Sequence, residues 1–178
     1  MNGIDKAYLA GGCFWCTEAI YKRLKGVVDV TPGYSGGNIK NPSYKEVCTG
    51  RTGHAETIEV LYKADEINFN KLLEVFFKTH DPTTINRQGN DVGTHYRSIV
   101  FFSNINEKNI ANNYIKNLEK SDLFKNKIVT QVVKFDKFYK AENYHENYYE
   151  LNKNQPYCEI VITPKVEKFQ KNFKDKLV

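Results

Sequence analysis

The chain is short of sulfur and of long apolar runs. Its 178 residues include four cysteines, one tryptophan and one methionine, Met1. No stretch approaches the roughly 18 consecutive apolar residues that a membrane-spanning helix needs, so no membrane role is expected. The opening Met1-Asn2-Gly3-Ile4-Asp5-Lys6 lacks the apolar core of a secretory signal, and the expected location is the cytoplasm. In such a reducing compartment, cysteines at 13, 16, 48 and 158 are not expected to form static disulfides. No dense basic run and no nucleic-acid motif accompany the net charge of +5, so the lysines read as a solvated surface and no nucleic-acid partner is expected. No linker, repeat or low-complexity tract divides the chain. It is read as a single domain over residues 1–178, acting as a monomer.

What is present alternates between two periods. Lys6–Leu9 reads as a strand that stops at Gly11-Gly12. A helix is expected from about Cys13 to Gly26, and Val27–Val30 reads as a second strand. Pro32-Gly33-Tyr34-Ser35-Gly36-Gly37, followed by Asn41-Pro42, is turn chemistry and reads as a long loop. Thr57–Tyr62 alternates as a strand, and Phe69–Thr79 has the apolar spacing of a helix with Asn68 as its cap. Residues 86–93 look irregular, and Ile99–Phe102 reads as a buried strand. Ile110, Tyr114 and Leu118 mark another helix, and 129–133 another strand. Ala141–Tyr149 reads as a short aromatic helix, and Val166, Phe169 and Phe173 have helical spacing. This β-α-β-β-α-β-α-β order predicts an α/β (α+β) two-layer sandwich: helices packed on a mixed sheet, with a ferredoxin-like core and long loops.

The most informative run is Gly11-Gly12-Cys13-Phe14-Trp15-Cys16. It places a thiol at a strand-to-helix junction, where helix N-terminal amides stabilise thiolate and lower its pKa. Phe14 and Trp15 offer an apolar wall suited to a methyl or thioether group. Three other readings compete: buried structural cysteines, half of a zinc site, and a thioredoxin-like dithiol–disulfide oxidoreductase using Cys13 and Cys16. A zinc site would want a second ligand pair, which the sequence does not offer. A thioredoxin-like site would place its aromatic before the first cysteine.

Polar and glycine-rich segments downstream surround Tyr44, Glu56, Asp91 and Tyr96. Glu56 is in phase with Ile58 and Val60 on its strand, so it is expected on the apolar side, where burial favours its protonated form. Tyr44 and Tyr96 are candidate hydroxyl donors. Asp91 is a candidate support residue that could equally be a turn former.

Taken in order, Gly-Gly-Cys-Phe-Trp, Pro42-Ser43-Tyr44 with Val47-Cys48, Gly53-His54-Ala55-Glu56, His80-Asp81-Pro82-Thr83-Thr84 and Gln88-Gly89-Asn90-Asp91-Val92-Gly93-Thr94 resemble the A-type peptide methionine sulfoxide reductases. The match runs from about residue 6 to residue 160. The resemblance implies reduction of the S epimer of methionine sulfoxide, free or in proteins, without a cofactor or metal. It implies Cys13 as nucleophile, Phe14 and Trp15 as the methyl pocket, and Glu56, Tyr44, Tyr96 and Asp91 as the polar part of the site. It further implies a sulfenic acid on Cys13, a disulfide with a second thiol, and thioredoxin as reductant. Cys158 holds the place of the family's C-terminal resolving cysteine, although Pro156 stands where glycine is usual. Cys16 is the proximal alternative. His95 stands where the family more often has glutamine.

Overall fold

The computed structural model describes residues 3–178. Six strands form one sheet in the order β7-β6-β1-β3-β2-β8. They are β1 (Ile4–Ala10), β2 (Val27–Ser35), β3 (Ala55–Lys63), β6 (Ile99–Phe102), β7 (Gln131–Lys134) and β8 (Phe138–Lys140). β6 and β7 run parallel, and every other pair is antiparallel. The inner order β6-β1-β3-β2, with α1 (Phe14–Tyr21) and α3 (Phe69–Thr79) as crossovers, is the ferredoxin-like core expected from the element order.

Alternation along β1 divides the core. Ala7 and Leu9 join the main cluster beneath the helices, with Ile20, Leu72, Leu73, Phe76 and Val166. Tyr8 and Ala10 face the other side, where the Tyr8 ring stacks on Phe135 at 3.8 Å. Glu56, Ile58 and Val60 are all buried on the helix side of β3, as the period-2 reading requires. Asn68 caps α3 by accepting the Lys71 amide. α4 (Ile105–Lys120) leans on α3 through Phe77 and Tyr114, whose rings stack at 5.4 Å.

Three expectations are corrected. Residues 32–35 are not loop but the end of β2, paired with β3 on one side and β8 on the other. Pro32 is tolerated because its carbonyl, accepting the Ala141 amide at 2.9 Å, faces the β8 side. Its missing N–H therefore falls at the very end of that ladder. Gly33 is required there, since a Cβ would lie 2.3 Å from the Phe138 ring. Second, α1 stops at Tyr21 rather than reaching Gly26. The C-terminal segment captures the chain: Lys25 donates to the Lys176 carbonyl and Leu24 bridges Leu177. Third, 141–149 is not one helix. A 3-10 turn at Asn143–His145 and the one-turn α5 (Tyr148–Leu151) are separated by Asn147 at φ 53°. The buried Glu18 carboxylate holds that break by accepting the Asn147 amide at 3.0 Å.

Smaller elements frame the site. α2 (Tyr44–Cys48) starts with a capping box of Ser43 and Glu46. The irregular 86–93 stretch contains a hairpin of β4 (Arg87–Gln88) and β5 (Asp91–Val92). α6 (Thr163–Asn172) follows a π-helical turn at Cys158–Ile162. No helix among the described residues is long and apolar enough to cross a membrane.

Candidate active site

The site is built where β1 gives way to α1. Gly12 has φ +80°, and a Cβ there would lie 2.6 Å from the Gln88 side chain. Its amide donates to the Tyr96 carbonyl at 3.1 Å, which fastens the loop carrying Tyr96 to the nucleophile strand. Cys13 is the N-cap of α1, and its carbonyl accepts the Cys16 amide at 3.1 Å. It is 8% exposed.

Helix-end stabilisation of a Cys13 thiolate, expected from the sequence, is outweighed. Burial first, then the neighbouring Cys16 sulfur, push the Cys13 thiol well above its ordinary value. The Trp15 amide and the Tyr157 hydroxyl face the sulfur and act the other way. Tyr157, however, has one proton, and the Asp91 Oδ2 at 2.6 Å takes it. The neighbouring Cys13 side chain, with the charge of Lys165, draws the Cys16 thiol down.

Glu56 projects from β3 to the same point. It is 2% exposed, and its Oε2 accepts the Phe14 amide at 3.0 Å. That amide is one of the unpaired donors at the start of α1. Burial, then the proximity of Cys13, hold the Glu56 carboxyl well above the usual carboxylate range, which favours the protonated acid. Tyr44 and Tyr96 both face it; burial, then Glu56, push their hydroxyls up, and both remain proton donors. Asp91 does not reach the thiol directly. It acts through Tyr157, whose ring meets Trp15 edge-on at 5.9 Å.

The aromatic wall is larger than Phe14 and Trp15. Phe14 is buried against Tyr34 at 5.8 Å and Tyr44 at 6.4 Å. Trp15 stacks face-to-face on Tyr148 at 3.7 Å. His145, fully buried, stands between them, with its ring 4.9 Å from Phe14 and 4.6 Å from Tyr44. Its Nδ1 accepts the Trp15 indole N–H at 3.0 Å. Glu142 ties the box to the frame by accepting the Tyr34 hydroxyl and the Tyr44 amide, each at 3.0 Å.

All nine residues singled out from the sequence therefore gather around one point. Cys158 is fully buried beside Cys13, and burial raises its thiol. Sequence reasoning missed Tyr34, Glu142, His145 and Tyr157. The aromatic-rich stretch around Tyr144 was the available signal for His145.

A nearly buried thiol, a second thiol one helical turn on and a buried carboxyl inside an aromatic box, carried on an α/β scaffold, define a thiol-based oxidoreductase. The family model for peptide methionine sulfoxide reductase matches residues 5–177. The peptide methionine sulfoxide reductase MsrA of Sulfolobus acidocaldarius is 54% identical over 173 residues, covering 97% of each chain. Mxr1 from Saccharomyces cerevisiae in reduced form superposes with a TM-score of 0.80 at 35% identity, covering 88% of this chain and 90% of that one. Mxr1 in complex with Trx2 shares the fold at a TM-score of 0.56 and 24% identity, over 82% of this chain and 85% of that one. The chain belongs to the peptide methionine sulfoxide reductase family.

Proposed function

We propose that this thiol-dependent methionine sulfoxide reductase acts on the S epimer, with Cys13 as nucleophile and Glu56 as the acid. One observation carries the reading: the buried Glu56 carboxyl accepts the amide of Phe14, the residue next to Cys13, beside the aromatic box. A sulfoxide oxygen is a poor leaving group until it is protonated, so attack on sulfur needs an acid aimed at oxygen. Glu56 supplies the proton, Tyr44 and Tyr96 donate hydrogen bonds to oxygen, and Phe14 and Trp15 receive the S-methyl group. Asp91 positions Tyr157 over the thiol. The overall step balances as sulfoxide plus Cys13 thiol giving methionine plus Cys13 sulfenic acid.

Cys16 condenses with that sulfenic acid, releasing water and forming a disulfide. It sits one helical turn from Cys13, and an N-cap to third-residue pair fits disulfide spacing. Cys158, buried beside the pair, is the second resolving thiol, by exchange. A thioredoxin-class dithiol in the cytoplasm then reopens the disulfide, and the enzyme works as a monomer without nucleic acid or membrane partners.

The test is turnover of the separated sulfoxide epimers. The S epimer should be consumed, the R epimer spared, and Cys13→Ser should be inactive. Equal turnover of both epimers overturns the stereochemical assignment. Full activity in Cys13→Ser overturns the nucleophile.

A further inference from the structure

Three side chains that come from separate elements meet at the mouth of the site: Cys48 at the end of α2, Glu56 on β3, and His95 in the 3-10 turn Thr94–Tyr96. One donor from each, the Cys48 Sγ, a Glu56 carboxylate oxygen and a His95 ring nitrogen, all lie within 4.8 Å of one another. We propose that Cys48, Glu56 and His95 form a binding site for a thiophilic divalent cation of the zinc class, and that its occupancy switches the reductase off.

Glu56 and His95 each keep an atom without a hydrogen-bond partner among the described residues. Glu56 spends Oε2 on the Phe14 amide and keeps its other oxygen. His95 is 6% exposed, and its Nδ1 is buried with no hydrogen-bond partner among the described residues. An unpaired buried ring nitrogen is costly unless something fills the gap. Cys48 is exposed and gives the ion access from solvent.

A sulfur–nitrogen–oxygen set selects zinc-like ions over calcium or magnesium, which take oxygen ligands. Zinc–ligand bonds of about 2.0–2.3 Å place tetrahedral donors about 3.5 Å apart, so small side-chain movements close the site. Three protein ligands leave the fourth position to water. A cation there holds the Glu56 side chain as a ligand, so it cannot act on a bound sulfoxide. It also occupies the approach that the sulfoxide oxygen needs. The ion is thus an inhibitor, not a cofactor.

Binding does not depend on the catalytic reading; only the inhibition rests on it. Zinc is titrated into the reduced, full-length protein against a chromophoric chelator, and cobalt absorption reports the ligand set. The buried Cys13, Cys16 and Cys158 thiols are a rival site, so the triple serine variant is titrated in parallel. The proposal expects one zinc per chain, retained in the triple variant, with a cobalt spectrum of one thiolate in tetrahedral coordination. Cys48→Ser and His95→Gln should each weaken binding at least tenfold. His95→Gln should keep metal-free sulfoxide turnover while losing zinc inhibition. No zinc binding in the native chain, binding lost in the triple variant but kept in His95→Gln, or zinc inhibition unchanged in His95→Gln would each overturn it. If zinc binds as expected and the native chain turns over no sulfoxide, the catalytic reading fails and the metal site stands.

Discussion

The Trp15 indole N–H donates to His145 Nδ1 at 3.0 Å across 130 positions of sequence. That bond fixes the His145 tautomer with its proton on Nε2, a buried nitrogen with no partner among the described residues. His145 is thereby suited to positioning: it anchors the Trp15 indole while packing against both Phe14 and Tyr44.

Replacing it should loosen the pocket without unfolding it. His145→Phe keeps the aromatic volume and removes the acceptor, so the indole is left free to reorient. We expect kcat/KM for a sulfoxide peptide to fall about tenfold, near the 1.4 kcal/mol of one hydrogen bond. Trp15 is the only tryptophan, so its fluorescence reports the change directly. An unchanged emission spectrum together with unchanged kcat/KM would count against the positioning role.

Glu56→Gln separates shape from chemistry. Because burial favours the protonated carboxyl, glutamine is nearly isosteric and still accepts the Phe14 amide. The melting temperature should stay within a few degrees of the native value. kcat should drop by about 10²–10⁴, the usual contribution of a positioned acid. A variant as active as the native enzyme would remove Glu56 from the mechanism.

The resolving order is read from single turnover. In Cys16→Ser the first equivalent of methionine should still form, while disulfide formation slows at least tenfold. In Cys158→Ser a Cys13–Cys16 disulfide should form at the native rate. Mass-spectrometric mapping that finds only Cys13–Cys158 in the native enzyme would reverse the assignment.

His80 makes the fold sensitive to mild acid. Its Nε2 meets Ser98 Oγ at 2.8 Å, its Nδ1 donates to the Phe76 carbonyl, and its ring packs 4.1 Å from that of Phe76. Burial pushes its pKa down to about 4. The unfolded chain therefore takes up its proton first, near the ordinary value of about 6.5. Stability from neutral His80 is complete above that value and is lost as pH falls toward 4, by up to about 3 kcal/mol. Urea denaturation at pH 7 and pH 4.5 should show a smaller difference in His80→Gln than in the native protein.

Several features were decided by local chemistry, and the sequence alone determined them. The period-2 phase of Glu56 with Ile58 and Val60 put the carboxyl on the buried face, and a face is set within one strand. Asn68 and the apolar stripe of Phe69–Thr79 defined α3 in the same local way. The ordered motifs from Gly11 to Gly93 pointed to the family and to Cys13, Phe14, Trp15, Tyr44, Glu56 and Asp91 as candidate site residues, because the expected chemistry needs a nucleophile, an acid and donors of those types.

Only the tertiary structure decided the rest. Pro32 and Gly33 read as loop because their strand depends on β8, a partner more than a hundred residues away. Tyr157 carries no local mark of function, and both Tyr157 and His145 matter through bonds to Asp91 and Trp15 that only folding makes. Most sharply, a cysteine at a helix start is expected to be acidic from local dipoles, yet Cys13 is held as a thiol. Desolvation by the packed core exceeds what the first-turn amides return, and burial is a property of the whole fold rather than of any six-residue run.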